Sequence, residues 1–146
     1  MYEDILVPTD GSDAAEAAVD HAVELATTYG ARLHALYVVD SSAYAMVDAG
    51  GDVIHETLEQ EGEAAVGRVA DRANEAGLTA LTVVTTGTPS RDILAYADEN
   101  GVDLIVMGTH GRRGLERYLL GSVTERVVRG SDVPVLTVHG APAEEE

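Results

Sequence analysis

The sequence predicts a single α/β domain: a doubly wound, five-stranded parallel sheet flanked by helices. Three observations carry that prediction. Short apolar runs alternate with stretches of helical periodicity along the 146 residues, the order that crossover connections and a parallel sheet require. The run Leu104-Ile105-Val106-Met107 is apolar at every position, so it belongs to a central strand covered on both faces. A chain of this length also closes one core without disulfides or metals.

The elements follow in order. Ile5-Leu6-Val7 forms the first strand; Ser12 then caps an alanine-rich helix bearing Val19, Val23 and Leu25, and Gly30 stops it. Leu33 to Val39 forms the second strand, and Asp40 to Asp52 reads as a mobile loop. From about Val53 to Ala76, apolar residues recur at Ile54, Leu58, Ala65, Val66, Val69 and Ala73, the stripe of a helix that stops at Gly77. Gly62 and Gly67 count against that helix in propensity. Leu81 to Thr85 forms the third strand, and Pro89-Ser90 opens a helix with Ile93, Leu94 and Ala97 that Asn100-Gly101 closes. After the fourth strand, Ser122 begins a helix with Val123, Val127 and Val128 on its apolar side and Gly130 at its end. Val135 to Val138, introduced by Pro134, forms a fifth strand at the sheet edge, where a missing ladder donor is tolerated. Residues 1–140 make the domain, and 141–146 an acidic tail.

Composition excludes several function classes. Cysteine is absent, which removes disulfides, thiolate catalysis and Cys-ligated zinc. The opening MYEDILVPTD has no basic n-region, and no run approaches the roughly 18 apolar residues of a spanning helix, so a cytoplasmic protein without membrane partners is expected. Acidic residues number 26 against 9 basic ones, for a formal charge of -17, and every basic residue is arginine. Nucleic acid is therefore not an expected partner, since phosphate backbones are bound by clustered positive charge. The acidity is spread along the chain, and lysine, phenylalanine and tryptophan are missing; together these read as adaptation to a high-salt cytoplasm, in a halophilic microorganism.

The stretch 108–125, GTHGRRGLERYLLGSVTE, packs four glycines and three arginines between a buried strand and a helix start. Turning the chain needs fewer glycines, so the excess implies close approach to the backbone. The helix that begins at Ser122 offers unpaired N–H groups and the positive end of its dipole to an anion, and Gly121 leaves the way open. Gly108 and Gly111 let further amides face a phosphate, with Arg112 or Arg113 adding charge-assisted contacts. A plainer alternative exists: Ser122-Val123-Thr124-Glu125 fits the S-x-x-E capping box, which satisfies a helix end without any ligand. A Walker A loop is excluded because it needs lysine, and the dinucleotide fingerprint is missing after the first strand, where Gly11 stands alone.

Gly108, Gly111 and Gly121-Ser122 follow the pattern Gly, two residues, Gly, nine residues, Gly-Ser/Thr of the ATP-binding universal stress proteins. With the flanking IVMGTHG and LLGSVTERVV, the opening ILVPTDGS and LYVVD after the first helix, the chain resembles the UspA family over essentially its full length. The resemblance implies a Rossmann-like, adenine nucleotide alpha hydrolase-like fold and an ATP site, with Mg2+ carried by the nucleotide. Pro8, Thr9 and Asp10 would line the adenosine side, with Asp10 near the ribose or a magnesium-linked phosphate. Val38 would meet the adenine through its backbone, and Met107 would border the base or ribose. Gly108, His110, Gly111 and Arg112 would form one side of the phosphate loop. Gly121, Ser122, Val123 and Thr124 would supply the helix N-terminus. The resemblance also implies a homodimer through the last strand, Val135-Leu136-Thr137-Val138, whose apolar edge would otherwise stay open.

Taken alone, Asp10 fits a turn residue as well as a base or ligand. His21, His34, His55 and His139 show no metal-ligand spacing, so no protein-built metal site is expected. Ser12, Ser90 and Ser122 fit caps, none lies in a G-x-S-x-G elbow, and no catalytic residue is assigned. The expected function is a nucleotide-responsive stress regulatory module with a protein partner that the sequence does not name. The alternatives are a weak Mg-dependent ATPase or phosphotransfer protein, and a dimeric scaffold with an idle site.

Overall fold

The structure, a computed structural model, describes residues 1–42, 51–109 and 120–140. Its elements are β1 (Asp4–Pro8), α1 (Asp13–Tyr29), β2 (Arg32–Asp40), α2 (Gly51–Glu75), β3 (Ala80–Gly87), α3 (Pro89–Glu99), β4 (Leu104–Gly108), α4 (Ser122–Gly130) and β5 (Val135–Val138). The five strands form one parallel sheet in the order β3-β2-β1-β4-β5, as the alternation of elements predicts. Among the described residues, no helix is long and apolar enough to cross a membrane.

This order explains the layers. From β1 the chain steps outward twice, to β2 and then β3, and right-handed crossovers place α1 and α2 on one face. It then returns past β1 to β4 and β5, so the same handedness puts α3 and α4 on the other face. Side chains alternate to match. Ile5, Val7, Leu33, Leu104 and Val106 pack with Val19, Val66 and Val69 on the first face, whereas Leu6, Leu36, Ile105 and Met107 pack with Ile93 and Val127 on the second. Every residue of β1 and β4 is buried, which accounts for their unbroken apolar runs.

Boundaries differ from the sequence expectation mainly between the second strand and the second long helix. The strand β2 keeps Asp40, and α2 already begins at Gly51; residues 43–50 of the expected loop, like 141–146, lie outside the described residues. Gly62, a cost in propensity, has a packing reason: a Cβ there would stand 2.7 Å from the Tyr37 ring and 3.1 Å from Val84. Helix α2 lies that close to the sheet.

At the amino end of the sheet, polar residues tie β1, β2, α3 and the loop before β4 together. The Asp4 carboxylate accepts from Arg32 Nε (3.0 Å) and from buried His34 Nε2 (2.9 Å), while His34 Nδ1 lies 2.8 Å from the Tyr96 hydroxyl of α3. Asp103 accepts from the backbone amides of Glu3 and Asp4. His34 is thus a paired core histidine. Among the described residues, no group of three or more His, Cys, Asp or Glu could hold a metal ion.

Candidate functional site

The winding reverses between β1 and β4, so the crevice beyond their carboxyl ends is where an open α/β sheet receives a ligand. The two strands pair at Ile5↔Leu104 and Leu6↔Ile105, while β1 runs on to Pro8 and β4 to Gly108.

On the β1 side, short polar side chains hold the turn in sequence. The Thr9 amide donates to the Leu36 carbonyl at 2.9 Å, one residue beyond the strand. Thr9 Oγ1 accepts from the Gly11 amide (3.0 Å), Asp10 Oδ1 from the Ser12 amide (2.9 Å), and Ser12 Oγ from the Ala15 amide (3.2 Å), the predicted N-cap of α1. Gly11 supplies the left-handed conformation this turn needs, at φ 81°. The turn role of Asp10 is therefore real, and it leaves the half-buried carboxylate at the mouth of the crevice. Val38, half-buried on β2, stands two residues past the Leu36 that pairs with Pro8.

On the β4 side, Gly108 has a close neighbour that the sequence reading did not include. A Cβ there would stand 2.9 Å from the Ala14 carbonyl carbon and Cβ, and a Cβ added at Gly140 would stand 3.2 Å from the Cα of the same alanine. Within the protein, a close approach to this glycine is made by the first turn of α1. The Met107 side chain is buried in the second core cluster. Ala14 and Thr109 are supporting residues that sequence reasoning missed; the Ala14-Ala15 pair opening α1 was the available signal for a close helix–strand contact.

The first turn of α4 distinguishes the two readings of SVTE. Gly121, not Ser122, occupies the N-cap, at φ -66° and ψ 161°, and no side chain caps the turn. Ser122 is the first helical residue, and the Glu125 side chain pairs with Arg129 at 3.0 Å. The capping box is not formed. Among the described residues, the amides of Ser122, Val123 and Thr124 have no acceptor, while the Glu125 amide bonds the Gly121 carbonyl at 2.9 Å. Ser122 is exposed; the Thr124 hydroxyl is buried and donates to the Gly108 carbonyl at 2.8 Å. His110, Gly111 and Arg112 lie outside the described residues. The fold thus brings Pro8, Thr9, Asp10, Val38 and Gly108 to one end of the sheet, with Gly121, Ser122, Val123 and Thr124 anchored beside β4.

Comparison with known proteins fits this arrangement. The profile of the universal stress protein family matches residues 1–139. The chain belongs to the universal stress protein family. Universal stress protein MJ0531 of Methanocaldococcus jannaschii is 43% identical over 140 residues, covering 94% of this chain and 82% of the relative. The solved structure of MJ0577 from the same organism superposes with a TM-score of 0.87 at 32% identity, covering 98% of this chain and 99% of that one. A universal stress protein solved in complex with cAMP gives a TM-score of 0.75 at 31% identity, covering 96% and 99%.

Proposed function

We propose that this universal stress protein binds an adenine nucleotide, ATP with its Mg2+, in the crevice between β1 and β4, and acts as a nucleotide-responsive regulatory module. The observation that carries the reading is the first turn of α4: a buried N-cap glycine and three consecutive amides that have no acceptor among the described residues. Such a turn favours an anion through both its free donors and its dipole. Thr9, Asp10 and the backbone of Val38 would face the nucleoside; Gly121, Ser122 and the following amides would hold phosphate. Mg2+ would neutralise part of the phosphate charge beside Asp10. The related complex with cAMP supports an adenine ligand in this fold. The half-exposed edge of β5, with Leu136 38% exposed, is the surface through which two copies would pair.

Titration calorimetry of the nucleotide-stripped chain with Mg-ATP in molar KCl tests this, together with Gly121→Val and Gly121→Ser. The φ and ψ of Gly121 are open to any residue, so neither substitution strains the backbone there. Valine fills the approach. Serine supplies a side-chain cap that competes for the same amides and steadies the free helix by a few tenths of a kcal/mol. Saturable binding to the parent chain, lost with valine and weakened with serine, is expected. Unchanged affinity in both variants would remove the α4 terminus from the reading.

A further inference from the structure

We infer that Thr124 is a positioning residue for this site: its hydroxyl does not reach for phosphate but pins the first turn of α4 to the end of β4, aiming the amides of that turn. The inference rests on the nucleotide reading above.

Three hydrogen bonds make the strap. Thr124 Oγ1 donates to the Gly108 carbonyl at 2.8 Å, from a residue only 3% exposed. The Gly121 amide donates to the next carbonyl, Thr109, at 2.7 Å, and the Thr109 amide donates to Val138 of β5 at 3.0 Å. Gly121 and Thr124 flank Ser122 and Val123, so both ends of the first turn are held to consecutive carbonyls of one strand end. A hydroxyl in a helix normally bonds within its own helix; this one leaves it for a strand. Beneath it, Val127 is fully buried against the sheet and fixes the second turn. With the terminus held in the free protein, binding does not spend affinity on orienting the amides.

The side-chain chemistry is separable. Serine keeps the hydroxyl, whereas valine keeps the shape and loses the donor. Affinities for Mg-ATP and for adenosine would be measured by calorimetry on the full chain, as wild type, Thr124→Val and Thr124→Ser. Expected are an ATP affinity about ten-fold or more weaker with valine, adenosine affinity unchanged, and ATP affinity near wild type with serine. ATP affinity unaltered by valine overturns the inference. So does an equal loss of ATP and adenosine, or a serine variant as weak as the valine one, since either assigns Thr124 to general packing. A wild type that binds no ATP sinks the nucleotide reading itself, and this step with it. Should the valine variant fail to fold, amide exchange on the wild type decides: the Gly121 and Thr109 amides are expected to be protected before ATP is added, and protection that arises only with ATP overturns a pre-set strap.

Discussion

Tyr96 shows how one side chain can tie pH to stability in this protein. Burial, and after it the nearby Asp4 carboxylate, raises its hydroxyl above the ordinary 10.0. The folded chain therefore holds this proton more tightly than the unfolded chain. Its contribution to stability is fully present below pH about 10 and is lost as pH climbs through the folded-state value. Urea unfolding followed from neutral to strongly alkaline pH is expected to show wild type losing stability faster than Tyr96→Phe. Near neutral pH the variant is less stable by about 1–2 kcal/mol, because His34 Nδ1 loses its 2.8 Å partner. Parallel alkaline slopes would assign the titration to another group. Glycines invite the same scrutiny: Gly108 reads as a ligand-loop residue in the sequence, and the structure adds a neighbour, Ala14, seen only once α1 is docked.

Among the elements, α2 separates propensity from packing. Both of its interior glycines lower helix propensity, yet their surroundings differ. A Cβ at Gly67 meets nothing within 4 Å, so Gly67→Ala is expected to stabilise the protein by about 0.5–1 kcal/mol. A Cβ at Gly62 would press on the buried Tyr37 ring, and Gly62→Ala is expected to destabilise by about 1–3 kcal/mol. Denaturant midpoints of the two single variants check the opposite signs; two equal shifts would mean that the helix sits farther from the sheet. In α4, similarly, the S-x-x-E pattern is compatible with a capped helix, and the decision belongs to the preceding chain. Gly121 is held by Thr109, which moves the cap position one residue upstream of Ser122 and leaves Glu125 to Arg129.

Across the whole molecule, charge dominates. With 26 acidic and 9 basic residues, most carboxylates have no cation of their own, although Arg68–Glu16 and Arg72–Asp20 join α2 to α1. Exposed pairs of this kind contribute little. Self-repulsion at a net charge of -17 opposes the compact state and also opposes an anionic ligand. Raising KCl from 0.1 M to 1 M shortens the screening length from about 10 Å to about 3 Å. The melting temperature is therefore expected to rise by about 5 °C or more over that range, and Mg-ATP affinity is expected to hold or improve. A melting temperature indifferent to salt would contradict adaptation to a saline cytoplasm.

The amino-acid sequence by itself determined the class of fold, the order of its elements and the end of the sheet where the candidate site lies. Those follow from local periodicity, caps and the handedness of crossovers, all of which short stretches of chain carry. It also held the Gly-Ser step at Gly121-Ser122 and the turn at Thr9-Asp10. Only the tertiary structure decided which residue caps α4, what lies against Gly108, where the Thr124 hydroxyl is spent and how His34 is paired. Each of these depends on atoms far apart in the chain: Thr124 and Gly108 are separated by 16 positions, and His34 and Tyr96 by 62. Contacts of that range are set by how the helices dock on the sheet, and no local pattern encodes them.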